Sequence, residues 1–209
     1  MLSNLEMSLF VENFASSCSR VQIKNFAKDE VITTYIEKRN QVCILVDGEA
    51  DFIRYDSNGN KTIICHFMKN DTFGEVFYPA NTNNELFVEA KSSCRVLFFN
   101  YSHLLNKCKR SCSFHKELED KFSELLLTQI ISLNTRIEHL TKRTIRDKLL
   151  SYFNLKASKT LTKTVVVPFS YTDLADYLSV DRSAMMREIK NLIDEGFIER
   201  DKNRIKLLY

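Results

Sequence analysis

Two arginines near the end of the chain have the spacing and the chemistry to read base edges in duplex DNA. Arg182 and Arg187 are five residues apart, which places both on one side of a helix. An arginine donates two hydrogen bonds to the O6 and N7 atoms of guanine, whereas a lysine suits a phosphate as a point charge. The residues predicted to face outward from this helix are Arg182, Ser183, Met186, Arg187 and Lys190.

The flanking sequence predicts the two helices that would position these side chains. The run S-Y-T-D from Ser170 to Asp173 is a capping box, which starts a helix with a small residue, Ala175, on its apolar face. A short turn follows, and Asp181 is an N-cap for a second helix ending near Glu195. The residues predicted to point inward from the second helix are Met185, Ile189 and Leu192. This arrangement indicates a helix-turn-helix.

The last residues of the sequence favour a DNA-binding helix over a solvated amphipathic helix with no ligand. Gly196 ends the helix, and FIERDKNRIKLL predicts two short strands around residues 201–203, a hairpin of the kind called a wing. The alternative is a solvated amphipathic helix whose basic residues pair with Asp181, Glu188 or Asp194. The sequence alone leaves that alternative open.

Charge is distributed unevenly along the 209 residues. From Thr141 onward there are 14 lysines and arginines against 9 aspartates and glutamates, whereas the part up to Leu140 has 16 against 18. A basic excess confined to the C-terminal third is typical of a part that meets a polyanion, although a solvated basic face also produces one.

The composition and motifs exclude several classes of protein. No apolar run approaches the roughly 20 residues of a membrane helix, and the first residues lack the pattern of a signal peptide, so a cytoplasmic protein without a membrane partner is expected. The six cysteines form no C-x-x-C pair, which argues against a disulfide scaffold. A phosphate-binding loop, H-E-x-x-H and G-x-S-x-G are all missing, so the sequence does not indicate an enzyme.

The N-terminal half predicts an antiparallel β-sandwich or roll. From Val21 to Phe99 the chain shows short runs rich in Val, Ile, Phe and Tyr, separated by turn residues such as Asn58-Gly59. Within residues 50–55, alternation places Ala50, Phe52 and Arg54 on one face of a strand and the intervening residues on the other. The expected fold class is α+β, beginning with a jelly-roll type β-roll.

A long helix is predicted between the roll and the C-terminal part. Apolar residues recur every three or four positions over about 22 residues, which is longer than ordinary globular helices. A coiled coil between two subunits is the favoured interpretation, and a helix packed on its own domain is the alternative. The residues of this predicted dimerisation stripe are Leu118, Phe122, Leu126, Ile130, Leu133, Ile137 and Leu140. Three domains are expected: a sensor roll at 1–112, a dimerisation helix at 113–140 and a winged helix-turn-helix at 141–209.

These segments resemble the family of the cyclic-AMP receptor protein and the fumarate-nitrate regulator. SYTDLADYLSVDRSAMMREIKNLIDEGFI is similar to the family's helix-turn-helix, and CILVDGEADFIRYDSNGNKTIICHFMKNDTFGE is similar to its cyclic nucleotide-binding-like β-roll. The resemblance implies a bacterial homodimer that regulates transcription by binding a palindromic site on double-stranded DNA, with RNA polymerase as a further partner. It places Arg182, Ser183 and Arg187 at the three base-reading positions, with serine where glutamate is usual, so the family's common half-site is not assumed.

The resemblance also indicates where an effector would bind. Members that bind cyclic nucleotides hold the ribose with a Gly-Glu pair, here Gly74 and Glu75, and the phosphate with an Arg-Ser pair. The Arg-Ser positions fall on Asn84 and Glu85, which replaces a positive charge with a negative one and argues against cyclic AMP in the usual pose. Gly74 and Glu75 are then expected to be only a turn and a surface or pocket carboxylate.

Other effectors and another mode of action stay open. The N-terminal cysteine cluster of iron-sulfur sensors is absent, since only Cys18 precedes residue 40. Cys108 and Cys112 lie four residues apart among basic residues, a setting for thiol redox sensing, although two ordinary thiols are expected. Haem is a further alternative, with an axial ligand from one of the four histidines: His66, His103, His115 and His139. The alternative function is a cyclic-nucleotide-type or haem sensor module that acts through protein partners.

Overall fold

The computed structural model describes residues 9–14, 21–36, 40–78, 86–105 and 114–209, without the side chains at 104–105 and 114–118. The chain forms two compact units, Met1–Ile131 and Ser132–Tyr209. The first unit contains a short helix, α1, at residues 9–14 and eight strands. The strands are β1 Gln22–Phe26, β2 Val31–Thr34, β3 Gln41–Asp47, β4 Ala50–Tyr55, β5 Lys61–Phe67, β6 Thr72–Phe73, β7 Leu86–Ala90 and β8 Cys94–Asn100.

These strands form two four-stranded sheets whose described pairs are all antiparallel. The strand orders are β1-β8-β3-β6 and β2-β7-β4-β5. Their inner faces enclose one apolar cluster, in which Phe67 and Phe73 stack with ring centroids 4.9 Å apart. This arrangement confirms the predicted β-roll.

Strand β3 has no polar face, because both sides of its sheet are covered. Its inward residues Cys43 and Leu45 join the cluster between the sheets. Its outward residues, including Ile44, pack in a second cluster with Phe14 of α1 and Phe122 of a long helix. The predicted alternation in β4 is interrupted by a bulge between Phe52 and Ile53. Both faces of β4 are also buried, since Asp51 and Ile53 are as inaccessible as Ala50 and Phe52.

The predicted hairpin at Asn58-Gly59 joins β4 to β5. Asp56 organises it: one carboxylate oxygen accepts from the backbone amides of Asn58 and Asn60, both at 2.8 Å. Gly59 has φ 79°, the left-handed conformation that favours glycine. Hydrogen bonds from Asn60 lower the pKa of the Asp56 carboxyl.

Two helices follow the roll in the chain, α2 at Ser102–Leu105 and α3 at Phe114–Leu140. The 27-residue α3 confirms the prediction of a long helix. Its predicted stripe is divided, however, because Phe122 is only 7% exposed and Leu126 packs partly against the same outer face of the roll. The side chain of Leu118 lies outside the described residues. The members of the stripe that are exposed are Ile130, Leu133 and Ile137.

The second unit begins inside α3. Its later elements are α4 Ile145–Thr160, β9 Thr164–Val166, α5 Tyr171–Leu178, α6 Arg182–Asp194, β10 Ile198–Asp201 and β11 Arg204–Leu207. The strands form a sheet of order β10-β11-β9, and the apolar sides of the sheet and of α4, α5 and α6 share one core. The sequence TLTKTVVVPF from Thr160 to Phe169 predicts a short β segment, but helix α4 runs through Thr160, so the strand is limited to β9.

Two buried residues explain why the last turns of α3 belong to this unit. Arg136 donates to the carbonyl oxygen of Tyr177 at 3.1 Å, and its guanidinium lies 4.6 Å from the centre of that ring. His139 bonds to the hydroxyl of Ser151 through Nδ1 at 2.7 Å. The three-domain division with limits at 112 and 140 stays a prediction. Contacts within the chain divide it into two units, with the boundary after Ile131.

No helix in the described ranges is both long enough and apolar enough to cross a membrane.

Candidate nucleic-acid interface

Helix α5 starts at the predicted capping residue. The Ser170 hydroxyl accepts from the amide of Asp173 at 3.1 Å and donates to the Asp173 carboxylate at 2.7 Å. This pairing satisfies one of the amides that a helix N-terminus leaves without an intrahelical partner. Leu174, Ala175 and Leu178 are buried beneath it, as predicted.

The turn between α5 and α6 depends on a residue in the left-handed conformation. Ser179 has φ 51° and ψ 59°, and its amide meets the carbonyl oxygens of Ala175 and Asp176. Lys148 of α4 reaches this helix end, where its Nζ lies 3.1 Å from the carbonyl oxygen of Leu178. A cation at a helix C-terminus is favoured by the helix dipole and satisfies free carbonyls. The small side chain of Ala175, 1% exposed, permits close packing of the two helices.

Helix α6 presents a charged face away from the core. Its N-cap Asp181 accepts from the Ala184 amide at 2.7 Å. The residues buried on its inner face, as predicted, are Met185, Ile189 and Leu192, and the predicted outward residues that are exposed are Arg182, Ser183, Arg187 and Lys190. Met186 departs from the prediction, because it is half-buried and packs against the core. Met186 lies three residues before the buried Ile189, about 60° around the helix, which places it at the edge of the apolar face.

The acidic residues that could neutralise this face have other contacts. Glu188 pairs with Arg146 of α4 at 3.5 Å, and Glu195 forms a further ion pair with the same guanidinium, which lowers the pKa of the Glu195 carboxyl. Within the described part of the chain, no hydrogen bond or ion pair occupies the side chain of Arg182, Arg187 or Lys190. The pairs with Asp181, Glu188 or Asp194 that the alternative interpretation of α6 expects are therefore not formed among the described residues.

The predicted wing is present as β10 and β11, joined at Lys202-Asn203. Lys202 has φ 53°, and the cross-strand partners include Ile198 with Leu207 and Glu199 with Lys206. Strand β9 extends the hairpin to three strands, and the amide of Val167 donates to the carbonyl of Asn203 at 2.9 Å. The sequence predicts a β segment here but not its pairing with the wing, since that pairing joins residues far apart in the chain.

The Gly74-Glu75 pair forms a tight turn at the edge of the roll. Gly74 has φ 132° and ψ 173° and precedes the 3-10 turn Glu75–Phe77. Glu75 is 6% exposed, so it is an interior carboxylate and not a surface one. Tyr35 bonds to the backbone of Gly74, and burial raises the pKa of both the Tyr35 hydroxyl and the nearby Cys43 thiol. A thiol with a raised pKa is unsuited to redox sensing.

Several sequence candidates lie outside the described residues: Asn84, Glu85, Cys18, Cys108, Cys112 and the side chain of His115. The described histidines are buried or nearly so. Nδ1 of His66 lies 2.7 Å from the carboxylate of Asp51, and Nδ1 of His139 bonds to Ser151, while burial lowers the pKa of His139. The described residues include no group of three or more His, Cys, Asp or Glu side chains arranged to hold a metal ion.

The sequence did not predict the residues that stabilise the candidate interface. Lys148, Arg136 and Tyr171 contact partners 30, 41 and 31 positions away, and no local pattern marks such contacts. The only available signal was residue type, since long cationic side chains and tyrosine suit capping and bridging roles.

Comparison with known proteins agrees with this architecture. Residues 23–111 match the family model described as the cyclic nucleotide-binding domain. No curated protein matches the chain by sequence.

Solved structures of regulators superpose over almost the whole chain. The c-di-GMP responsive global regulator CLP of Xanthomonas campestris is 13% identical with a TM-score of 0.73, covering 97% of this chain and 99% of its own. FixK2 of Bradyrhizobium japonicum is 18% identical with a TM-score of 0.66 and coverages of 90% and 93%. TTHA1359 of Thermus thermophilus, a CRP/FNR family transcriptional regulator, is 20% identical with a TM-score of 0.63 and coverages of 90% and 94%. Residues 23–111 thus match the cyclic nucleotide-binding domain model, and the chain shares its fold with solved transcriptional regulators of the CRP/FNR family.

Proposed function

We propose that this protein is a cytoplasmic, homodimeric regulator of transcription that binds specific sites on duplex DNA through α6. The observation that carries the proposal is the face of α6 formed by Arg182, Arg187 and Lys190, which is exposed and has no internal partner in the described structure. Three cations left without a counter-charge on a capped, well-packed helix are arranged for an external polyanion.

The positions of these side chains suggest separate tasks. Arg182 and Arg187 stand in the first half of α6, the part of a recognition helix that enters the major groove. Each arginine has the reach and the donor geometry for a guanine edge, whereas Ser183 offers one hydroxyl that suits several bases. Lys190, nearly one turn after Arg187, is better placed for a phosphate as the helix leaves the groove. Met186 is expected to support the helix and to contribute little to base reading.

A dimer is the expected binding form. Large apolar side chains are exposed along α3: Leu127, Ile130, Ile131, Leu133 and Ile137. Exposed apolar residues at this density on a long helix are stabilised by a second helix, and a second copy of the chain provides one with the same spacing. Two recognition helices related by a twofold axis would then read a palindromic site.

The β-roll is proposed to sense the signal. CLP, which shares the fold, is described as responsive to c-di-GMP. For this chain we propose an effector other than cyclic AMP in the usual pose, because the phosphate-binding positions carry Asn84 and Glu85. Haem and the thiols of Cys108 and Cys112 are the alternatives that the sequence offers. Contact with RNA polymerase is the proposed route from bound dimer to transcription.

Selection from a random duplex pool followed by binding measurements across a salt series tests the proposal. The wild-type protein should enrich a defined palindrome, and its affinity should fall steeply with salt. Arg187→Ala should cost about 1 to 3 kcal/mol on the selected site and much less on scrambled DNA, because a bidentate base contact is lost. Lys190→Ala should weaken both alike.

The matched control is Lys159→Ala, which removes an exposed charge of α4 outside the recognition helix. It should leave the selected-to-scrambled affinity ratio unchanged. Equal losses on both duplexes for Arg187→Ala would overturn the base-reading role, and binding that does not respond to salt would overturn DNA binding itself.

A further inference from the structure

One arginine of the β-roll continues a row of apolar core residues. Arg54 of β4 is the cross-strand partner of Leu86 of β7. The next pair on the same face is Phe52 with Val88. Phe52, Leu86 and Val88 all belong to the core between the two sheets. Because residues two apart on a strand share a face, Arg54 lies on the interior side of its sheet, and its side chain is half-buried.

The guanidinium of Arg54 is only partly satisfied. Its Nη2 atom donates to the Tyr78 hydroxyl at 3.1 Å. Among the described residues its Nε atom is buried without a hydrogen-bond acceptor, and no carboxylate, including the interior Glu75, forms an ion pair with this arginine. A phenol hydroxyl is neutral, so the positive charge stays uncompensated. A guanidinium partly withdrawn from water without a counter-charge is unfavourable, so the site favours an anion.

The tyrosine that occupies this guanidinium belongs to a group of three contacting aromatic rings. The ring centroids of Tyr35 and Phe52 are 4.6 Å apart, those of Phe52 and Tyr78 are 5.2 Å apart, and those of Tyr35 and Tyr78 are 6.0 Å apart. Aromatic faces and edges of this kind suit a flat apolar group. The Nε and Nη2 edge of a guanidinium offers two parallel donors, which match the two oxygens of a carboxylate.

We propose that Arg54 anchors a small aromatic carboxylate effector, whose carboxylate replaces the Tyr78 hydroxyl at the guanidinium. The inference rests on the proposed sensing role of the β-roll and names the class of ligand. A carboxylate accepts two charge-assisted hydrogen bonds where the phenol accepts one and brings no charge, so the exchange is favourable. The anchor lies on β4 and is separate from the positions at 74–75 and 84–85 that were considered for a cyclic nucleotide.

The turn before Tyr78 connects this exchange to α3. The Tyr78 amide donates to the carbonyl oxygen of Glu75 at 3.3 Å and closes the 3-10 turn Glu75–Phe77. Phe77 stacks on Phe122 of α3, with ring centroids 6.2 Å apart. Release of Tyr78 from Arg54 therefore acts on a turn that contacts the helix proposed to form the dimer.

Calorimetry with the full-length protein and benzoate as the probe tests the site in the absence of DNA. Benzoate should bind, whereas benzamide, which has a similar shape but no charge, and inorganic phosphate, which has no ring, should bind much more weakly. Arg54→Gln should weaken benzoate binding about ten- to hundredfold, because the charge-assisted bonds are lost. Arg54→Lys keeps the charge but loses the paired donors and should also weaken binding. The matched control, Arg95→Gln, removes an exposed arginine of the roll that pairs with Glu12 and should leave the affinity unchanged.

Tyr78→Phe tests the replacement step, because it keeps the aromatic ring and removes only the competing hydroxyl. It should strengthen benzoate binding about two- to tenfold, which a merely structural role of Tyr78 would not do. Circular dichroism checks that each variant is folded.

The outcomes separate this inference from the proposed function. No benzoate binding, binding equal to that of benzamide, or an unchanged affinity in Arg54→Gln overturns the Arg54 site while the DNA-binding proposal stands. Equal affinity for inorganic phosphate overturns the ligand class, and an unchanged or lower affinity in Tyr78→Phe overturns the replacement step. Benzoate that binds at Arg54 but leaves the affinity for the selected duplex unchanged overturns the sensing role on which the inference rests.

Discussion

Replacing Gly74 with alanine should destabilise the β-roll strongly, whatever the protein senses. Gly74 has φ 132° and ψ 173°, a region that is nearly restricted to glycine and costs other residues about 1 to 3 kcal/mol. A Cβ added there would lie 2.3 Å from the carbonyl oxygen of Gln41 in β3, so backbone must also move. Adding overpacking of about 1 to 3 kcal/mol gives an expected loss of about 2 to 6 kcal/mol.

Gly59 provides the matched control. It also has a positive φ, 79°, but a Cβ there meets nothing within 4 Å. Gly59→Ala should cost about 1 kcal/mol, the penalty of a left-handed alanine partly offset by a less flexible unfolded chain. Urea denaturation followed by circular dichroism, with hydrogen exchange of peptides from the roll, measures both losses. Equal stability of the two variants would refute the close-approach argument and would favour a ligand-binding reason for Gly74.

Three other predictions concern the dimer, the effector and the C-terminal core. Ile130→Glu with Ile137→Glu, at side chains 52% and 57% exposed, should give folded monomers by light scattering, and a persistent dimer would exclude this face. Calorimetry should show weak or no binding of cyclic AMP and cyclic GMP, because of Asn84 and Glu85; micromolar affinity would refute this prediction. The buried Tyr152 hydroxyl has no hydrogen-bond partner among the described residues, so Tyr152→Phe should raise the unfolding free energy by about 1 kcal/mol, and a loss of stability would contradict it.

The division of α3 shows where sequence periodicity stops being informative. Phe122 and Ile130 belong to one apolar stripe, yet Phe122 is buried on the roll and Ile130 is exposed. Periodicity predicts which residues share a helix face, but burial depends on what lies opposite that face. Here the outer residues of β3 and β8 cover only the earlier part of the stripe, and those strands are distant in sequence.

The candidate site also contains residues whose burial the sequence predicted and one residue whose burial it did not. The exposure of Arg182 and Arg187 and the burial of Met185 follow from the helical period and were predicted. The half-burial of Met186 was not, because residues at the border of two faces are assigned by the packing of neighbouring elements.

The sequence by itself determined the parts of this protein that depend on near neighbours. The caps at Ser170 and Asp181 bond to amides three residues ahead, and the Gly59 turn closes within five residues. Only the tertiary structure decided that Glu188 pairs with Arg146 and that Tyr171 holds the wing at Lys202. The physical reason is that short-range backbone bonding follows from local residue types, whereas charge pairing between distant segments is selected when the core brings them together.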